Sequence, residues 1–284
     1  MSINRLLSKV KRLPATPELL PKLMQVLKDP NNSSEEIVEM IKLDMSLAAQ
    51  IQHMSNSPYY GFSSPSKDLG QAIARIGLQE TYKLVAAVLS QQMMAKSLKM
   101  RYLSSNILWQ NSIAAAKTME FLGEEDTPDS VNHYSIGLFH NIGLHLMAHA
   151  EPQLLDQAIE QTKKEKIHLL DAMRNTFEFD HLELAQALLE RWQFPEAISE
   201  PIAYQFHPDH APLETKTAAM LCLTHFILHT MNCEISGNTV ANETINYAQE
   251  TVLNIDDERL HIFVEKAEKA VSDIGEMFKA GQKA

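Results

Sequence analysis

Ser135-Ile-Gly-Leu-Phe-His-Asn-Ile-Gly-Leu-His-Leu-Met147 is a nearly continuous apolar run in which His140 and Asn141 stand side by side. No proline interrupts it. A helix this apolar around its whole circumference has to be enclosed by other elements rather than float on a surface. Upstream, Asp126-Thr127-Pro128 supplies an N-terminal signal with proline in the first turn, so the spacing predicts one long buried helix ending near Ala148. Within it, Gly137 and Gly143 mark points where a neighbouring backbone can approach closely, because neither carries a Cβ.

The composition agrees with a helical shell around this run. Among 284 residues there are only 9 Gly and 12 Pro, aromatics make up 7%, and hydrophobic residues reach 45%. That is enough apolar material for a large core, in residue types that favour helices over strands. The fold class expected is therefore all-α. A formal net charge of −11 argues against a broad nucleic-acid or anionic-membrane footprint, since both need clustered Lys and Arg. Arg5, Lys9, Lys11 and Arg12 form one local basic cluster, read as the solvated face of a short first helix. No apolar run reaches the ~18 residues of a membrane span, and no apolar stretch follows the basic start as in a signal peptide, so a cytoplasmic location is expected. Cys222 and Cys233 fit no zinc spacing and are read as reduced thiols.

Local signals place the remaining helices. Thr16-Pro17 opens one that runs to about Lys28, and Ser33 with Glu36 forms a capping box for the next. Asp44 caps a helix with Leu47, Ile51 and Met54 inward; Asp68 and Gln71 start another that Gly77 closes. Between them Tyr59, Tyr60 and Phe62 should wedge helices together. A long helix follows from Leu78 to about Lys96, and a further one after Leu103 carries Trp109, Ile113 and Ala116. Segments near 152–165, 168–177 and 195–206 read as helices, as do 212–231, 241–253 and 256–279; Asp180 and Glu183 cap one that ends at Trp192.

The succession Leu13-Pro-Ala-Thr-Pro-Glu, Ile41-Lys-Leu-Asp44-Met-Ser-Leu-Ala-Ala, Asn56-Ser-Pro-Tyr-Tyr-Gly61 and Gln71-Ala-Ile-Ala-Arg-Ile-Gly-Leu78 resembles the HDOD domain, a relative of the HD metal-dependent phosphohydrolases. The likeness extends over residues 13–210. It implies two packed helical lobes, an N-terminal one over about 1–102 and an HD-like one over about 103–232, followed by a C-terminal helical extension over 233–284.

The resemblance also says which positions would carry chemistry. In the catalytic branch His-Asp sits in the buried helix, where this chain has His140-Asn141. A carboxylate is needed there because a metal and its activated water must be held by negative charge as well as by imidazole nitrogen. A His two residues after the helix-opening Trp is replaced by Asn111 after Trp109, and the His pair after the Ile-Ala-Tyr run is replaced by Gln205-Phe206 after Ile202-Ala-Tyr204. His207 is then displaced by one position, about 100° around a helix. Asp180-His181 matches the third element, and the final Asp aligns with His225.

No catalytic residue is therefore expected, His140 and Asn141 being a motif remnant, and no cofactor is called for. The alternative is a divalent metal at His140, His181 and His225, in a metal-dependent phosphohydrolase for nucleotides or phosphodiesters. His145 and His149 lie one turn apart but lack a completing Glu or Cys, and read as exposed or capping residues. The expected role is a non-catalytic bacterial signalling module that binds protein partners, with its old pocket filled or reused for a small ligand. Nucleic-acid binding through the basic cluster is the weakest reading.

Overall fold

A computed structural model of the chain describes residues 2–10, 19–29, 34–94, 98, 100–124, 130–233, 235, 237 and 240–281. The expected caps at Thr16-Pro17, Ser33 and Asp126-Thr127-Pro128 lie outside the described residues. Among the described residues every regular element is helical. None is long and apolar enough to cross a membrane.

The first lobe is built from α2 (Leu19–Lys28), α3 (Ser34–Lys42), α4 (Met45–Ser55), α5 (Leu69–Ile76) and α6 (Leu78–Met94), preceded in sequence by α1 (Ile3–Val10). Leu20, Leu23 and Met24 of α2, Ile37 and Ile41 of α3, and Leu47 and Ile51 of α4 are fully enclosed. The tight turns between them are set locally. The Asp44 carboxylate accepts from the backbone N–H groups of Ser46 and Leu47, and Asp68 accepts from that of Gln71. These acceptors satisfy donors that a helix start leaves without intrahelical partners. Gly77 takes φ +84°, a conformation that suits glycine, and ends α5 so that α6 can start at once in a new direction. Tyr60 turns inward from the Pro58–Tyr60 3₁₀ turn, while Tyr59 and Phe62 stay partly exposed. Only one of the three aromatics is thus the expected wedge. Phe62 stacks on Tyr60 and lies under the Arg75 guanidinium.

The second lobe comprises α7 (Ser105–Gly123), α8 (Ser130–Phe139), α9 (Ile142–Ala150), α10 (Pro152–Glu165), α11 (Leu169–Phe177), α12 (His181–Arg191), α13 (Glu196–Ala203) and α14 (Thr215–Thr230). α7 runs along α8 and α14, α12 packs on α9 and α13, and α6 lies against α7 and α8 to join the lobes. The core is continuous across that junction. The N-terminal α1 packs on α9 and α12 through Leu6 and Leu7.

The long helix expected from 126 to 148 is instead two helices, α8 and α9, broken at His140-Asn141. In an unbroken helix the Gly137 carbonyl would accept from the Asn141 N–H, four residues on. Here it bonds His140 Nδ1 at 2.6 Å. Asn141 takes φ −108°, ψ 18° and becomes the residue before α9, its carbonyl accepting from His145 N at 3.1 Å. The glycines act as expected. A Cβ on Gly137 would come within 2.3 Å of the Ala115 carbonyl oxygen, and one on Gly143 within 1.9 Å of that of His181.

Two further helices end early. The segment expected to be helical to Phe206 stops at Ala203, so His207 does not occupy a helical position and the 100° argument does not apply. The 241–253 segment is a short α15 (Asn242–Asn246) continued by a π-helical turn, Tyr247–Leu253. The last helix, α16 (Asp257–Gly281), buries Leu260, Phe263, Ala267 and Ile274, lies mainly on α7, and also touches α4 and the Pro58–Tyr60 turn. It therefore packs on both lobes.

Candidate functional site

The break between α8 and α9 puts His140 and Asn141 at the centre of the second lobe, beside Asn111 from α7 and His225 from α14. His140, Asn141, Asn111 and Gln205 are each no more than 2% exposed, and His225 is 6% exposed. His140 and His225 meet edge to face with ring centroids 5.3 Å apart. Phe206 stacks on the other imidazole, His225, at 4.7 Å.

The polar atoms form an ordered chain. Asn111 Nδ2 donates to the Cys233 carbonyl at 2.7 Å, and Asn111 Oδ1 accepts from Asn141 Nδ2 at 2.9 Å. Asn141 Nδ2 also lies 2.7 Å from His140 Nε2. An amide N–H can only donate, so Nε2 accepts and the His140 proton sits on Nδ1, where it is given to Gly137. Gln205 closes the set: its Nε2 donates to the carbonyls of His140 at 3.1 Å and Ile202 at 2.9 Å, and its Oε1 lies 2.6 Å from His225 Nε2. A carboxamide oxygen can only accept, so His225 carries a proton on Nε2. Asn141 Oδ1 is buried with no hydrogen-bond partner among the described residues.

Electrostatically the centre is neutral. Burial lowers the His140 pKa to about 4, with the Gly137 carbonyl working in the opposite direction and His181 adding to the fall. Burial also lowers His225 well below the ordinary histidine value, reinforced by His140, His181 and His168. His145, expected to be exposed or capping, is instead 3% exposed and pairs through Nε2 with Ser112 Oγ at 3.2 Å; burial takes its pKa to about 3. The i, i+4 spacing to His149 concealed this, because both faces of α9 are covered.

Asp180 and Glu183 form the expected capping box. The Asp180 carboxylate accepts from the N–H groups of Leu182 and Glu183, and Glu183 Oε2 accepts from Asp180 N at 3.0 Å. Asp180 Oδ2 also receives Arg174 Nη2 at 2.5 Å. The carboxylate of the third motif element is thus occupied by helix capping and an ion pair. His181 is fully buried where α12 meets Gly143 of α9.

A divalent metal does not fit these residues. Among the described residues no three His, Cys, Asp or Glu side chains are arranged to hold one. The accepting nitrogen of His140 is taken by Asn141, and that nitrogen of His225 which faces Gln205 is protonated. Among the described residues no carboxylate joins these histidines to supply the charge a metal and hydroxide need.

A model of the HDOD domain matches residues 13–208 of this sequence. The chain belongs to the HDOD family. An uncharacterized protein of Treponema pallidum (strain Nichols) is 25% identical to this HDOD protein over 206 residues, or 72% of this chain. Those residues cover only 39% of the relative, so the HDOD chain spans well under half the length of the relative it matches. Among solved structures, an HDOD domain protein of unknown function from Geobacter sulfurreducens has TM-score 0.73 and 18% identity, covering 98% of this chain and 92% of its own. A protein of Marinobacter aquaeolei VT8, provisionally described as a signal transduction protein, gives TM-score 0.76 at 18% identity over 99% of this chain and 66% of its own. One from Shewanella amazonensis SB2B, provisionally described as a phosphohydrolase, gives 0.70 at 20% over 96% and 97%. These likenesses show a shared helical fold.

Residue-type reading did not single out a second polar set, on α6 and α7. Glu120, 6% exposed, is paired by Lys83 and Lys117, and Lys83 also reaches Glu80 at 2.7 Å. Burial alone would lower the Lys83 pKa, but Glu120 and Glu80 together raise it. The Lys117–Glu120 spacing of one helical turn is visible in sequence; the partner Lys83, 37 positions from Glu120, is not.

Proposed function

We propose that this HDOD protein is a non-catalytic bacterial signalling module that acts by binding protein partners through its helical surface, in the cytoplasm. The observation that carries this reading is the neutral, hydrogen-bonded centre. Asn141, itself bonded to Asn111, donates to His140, and Gln205 accepts from His225, where a hydrolase needs anionic ligands. Phe206 fills the space next to His225. A hydrolase altered in this way loses metal affinity and the means of generating hydroxide, while the shell keeps its packing. The provisional signalling description of the Marinobacter aquaeolei protein is in keeping with that role.

Turnover assays with cyclic dinucleotides and nucleotides in the presence of Mn²⁺ test the reading. The expected result is no hydrolysis above the rate of a Phe206→Ala, His140→Ala double variant. Hydrolysis by the parent that His140→Ala abolishes would establish a metal-dependent phosphohydrolase instead.

A further inference from the structure

Outside the buried centre lies a cleft of about 410 Å³, within the range of roughly 300–1,000 Å³ that small-ligand sites occupy. Phe206 lines it, and the same ring stacks on His225, so a single side chain separates cleft and centre. One wall is α11. The other is Val240, Ala241 and Thr244, which lie beyond residue 208, where the family match ends. A ligand held here would touch the HDOD domain and its C-terminal extension at once.

The polar lining has a definite pattern. Arg174 and Asp171 stand one turn apart on α11, and both side chains are more than half exposed, at 53% and 59%. Their nearest atoms are 3.6 Å apart, too long for a hydrogen bond, so each keeps capacity for a ligand. The guanidinium is nevertheless fixed, because its Nη2 is anchored on the buried carboxylate of Asp180. Leu170 and Phe206 present apolar surface beside this pair.

We propose that the cleft binds a free α-amino acid with an apolar side chain. Its carboxylate meets Arg174, its ammonium meets Asp171, and its side chain lies against Phe206 and Val240. A zwitterion matches a lining that sets one cation beside one anion on α11; His168 and His207 are the other titratable side chains there. A phosphate dianion does not, since beside Arg174 it would meet the Asp171 carboxylate with no ammonium of its own to answer it. The proposal stands whether or not the buried centre holds a metal.

Calorimetric titration of the full chain with L-phenylalanine and L-leucine tests it, with N-acetyl-L-phenylalanine, L-phenylalanine methyl ester and inorganic phosphate as comparisons. The expected result is saturable binding of the two free amino acids, and binding about tenfold or more weaker for each derivative that lacks one charge, as loss of a charge-assisted contact implies. Asp171→Asn should weaken the free amino acids but not the N-acetyl form. Ala241→Trp, at an exposed wall position, should abolish binding while leaving the melting curve unchanged. Absence of binding at millimolar concentration, equal binding of the masked derivatives, saturable phosphate binding at the same site, or binding unaffected by Ala241→Trp would each overturn the proposal.

Discussion

Replacing Gly143 by alanine isolates the contact on which the second lobe is assembled. In an exposed helix the change would stabilise by about 0.5–1 kcal/mol, because glycine gives up more backbone freedom on folding. At position 143 the new Cβ would stand 1.9 Å from the His181 carbonyl oxygen and 3.0 Å from Ala185 N. Ordinary contact begins at 3.4 Å, so α9 and the start of α12 would have to separate by the difference, 3.4 − 1.9 = 1.5 Å. The obstacle is backbone, which no side-chain rotation can relieve. A shift of that size would also disturb the Asp180 cap and the fully buried His181. Overpacking typically costs about 1–3 kcal/mol and sometimes more, and a rigid backbone obstacle belongs at the upper end, so a net loss of about 3 kcal/mol is expected. Urea unfolding followed by far-ultraviolet circular dichroism measures it. Gly275→Ala serves as the control, since a Cβ there meets nothing within 4 Å, and it should raise the midpoint. A Gly143→Ala midpoint equal to or above the parent's would refute the close helix approach.

Gln205→Leu leaves the His140 carbonyl and His225 Nε2 without their partner, and should cost about 1–3 kcal/mol in the same unfolding assay. Asp180→Ala removes a helix cap and the anchor of Arg174 and should cost about 1–2 kcal/mol, whereas Asp180→Asn, which keeps the capping oxygen, should recover part of it. His140 and His145 are held neutral, with pKa lowered to about 4 and about 3 by burial, so the unfolded chain binds the extra protons. Stability is then full above the ordinary histidine value of about 6.5 and falls as pH drops through it toward 4, by on the order of 3 kcal/mol for His140 alone. Urea midpoints measured from pH 7.5 to 4.5 should decline, and less steeply for His145→Gln; a flat profile would contradict the buried neutral histidines.

Features set by near neighbours in the chain were legible in the sequence. Asp44, Asp68 and Asp180 cap the helices their spacing marks, and Gly137 and Gly143 sit where two backbones nearly touch. The all-helical class follows from the same local signals. Features decided by a side chain reaching an unexpected partner were not. The break at Asn141 arises because the His140 ring takes the Gly137 carbonyl, a competition that apolar periodicity does not register. The pairing of Gln205 with His225 spans 20 positions, and that of Asn111 with Cys233 spans 122. The family resemblance drew attention to positions 111, 141, 205, 206 and 225, because the motif order supplied them, and the fold brings these residues together. It did not reveal that the substitutes bond to one another. The cleft was equally hidden, since α11, Phe206 and the extension meet only in three dimensions.

The most direct test of the central account is the metal content of the full chain, purified without a histidine tag from metal-replete medium and dialysed before elemental analysis. The account predicts Zn, Mn, Fe and Ni well below stoichiometric amounts, unchanged in His140→Ala. One divalent ion retained per chain in the parent and lost in His140→Ala would contradict it.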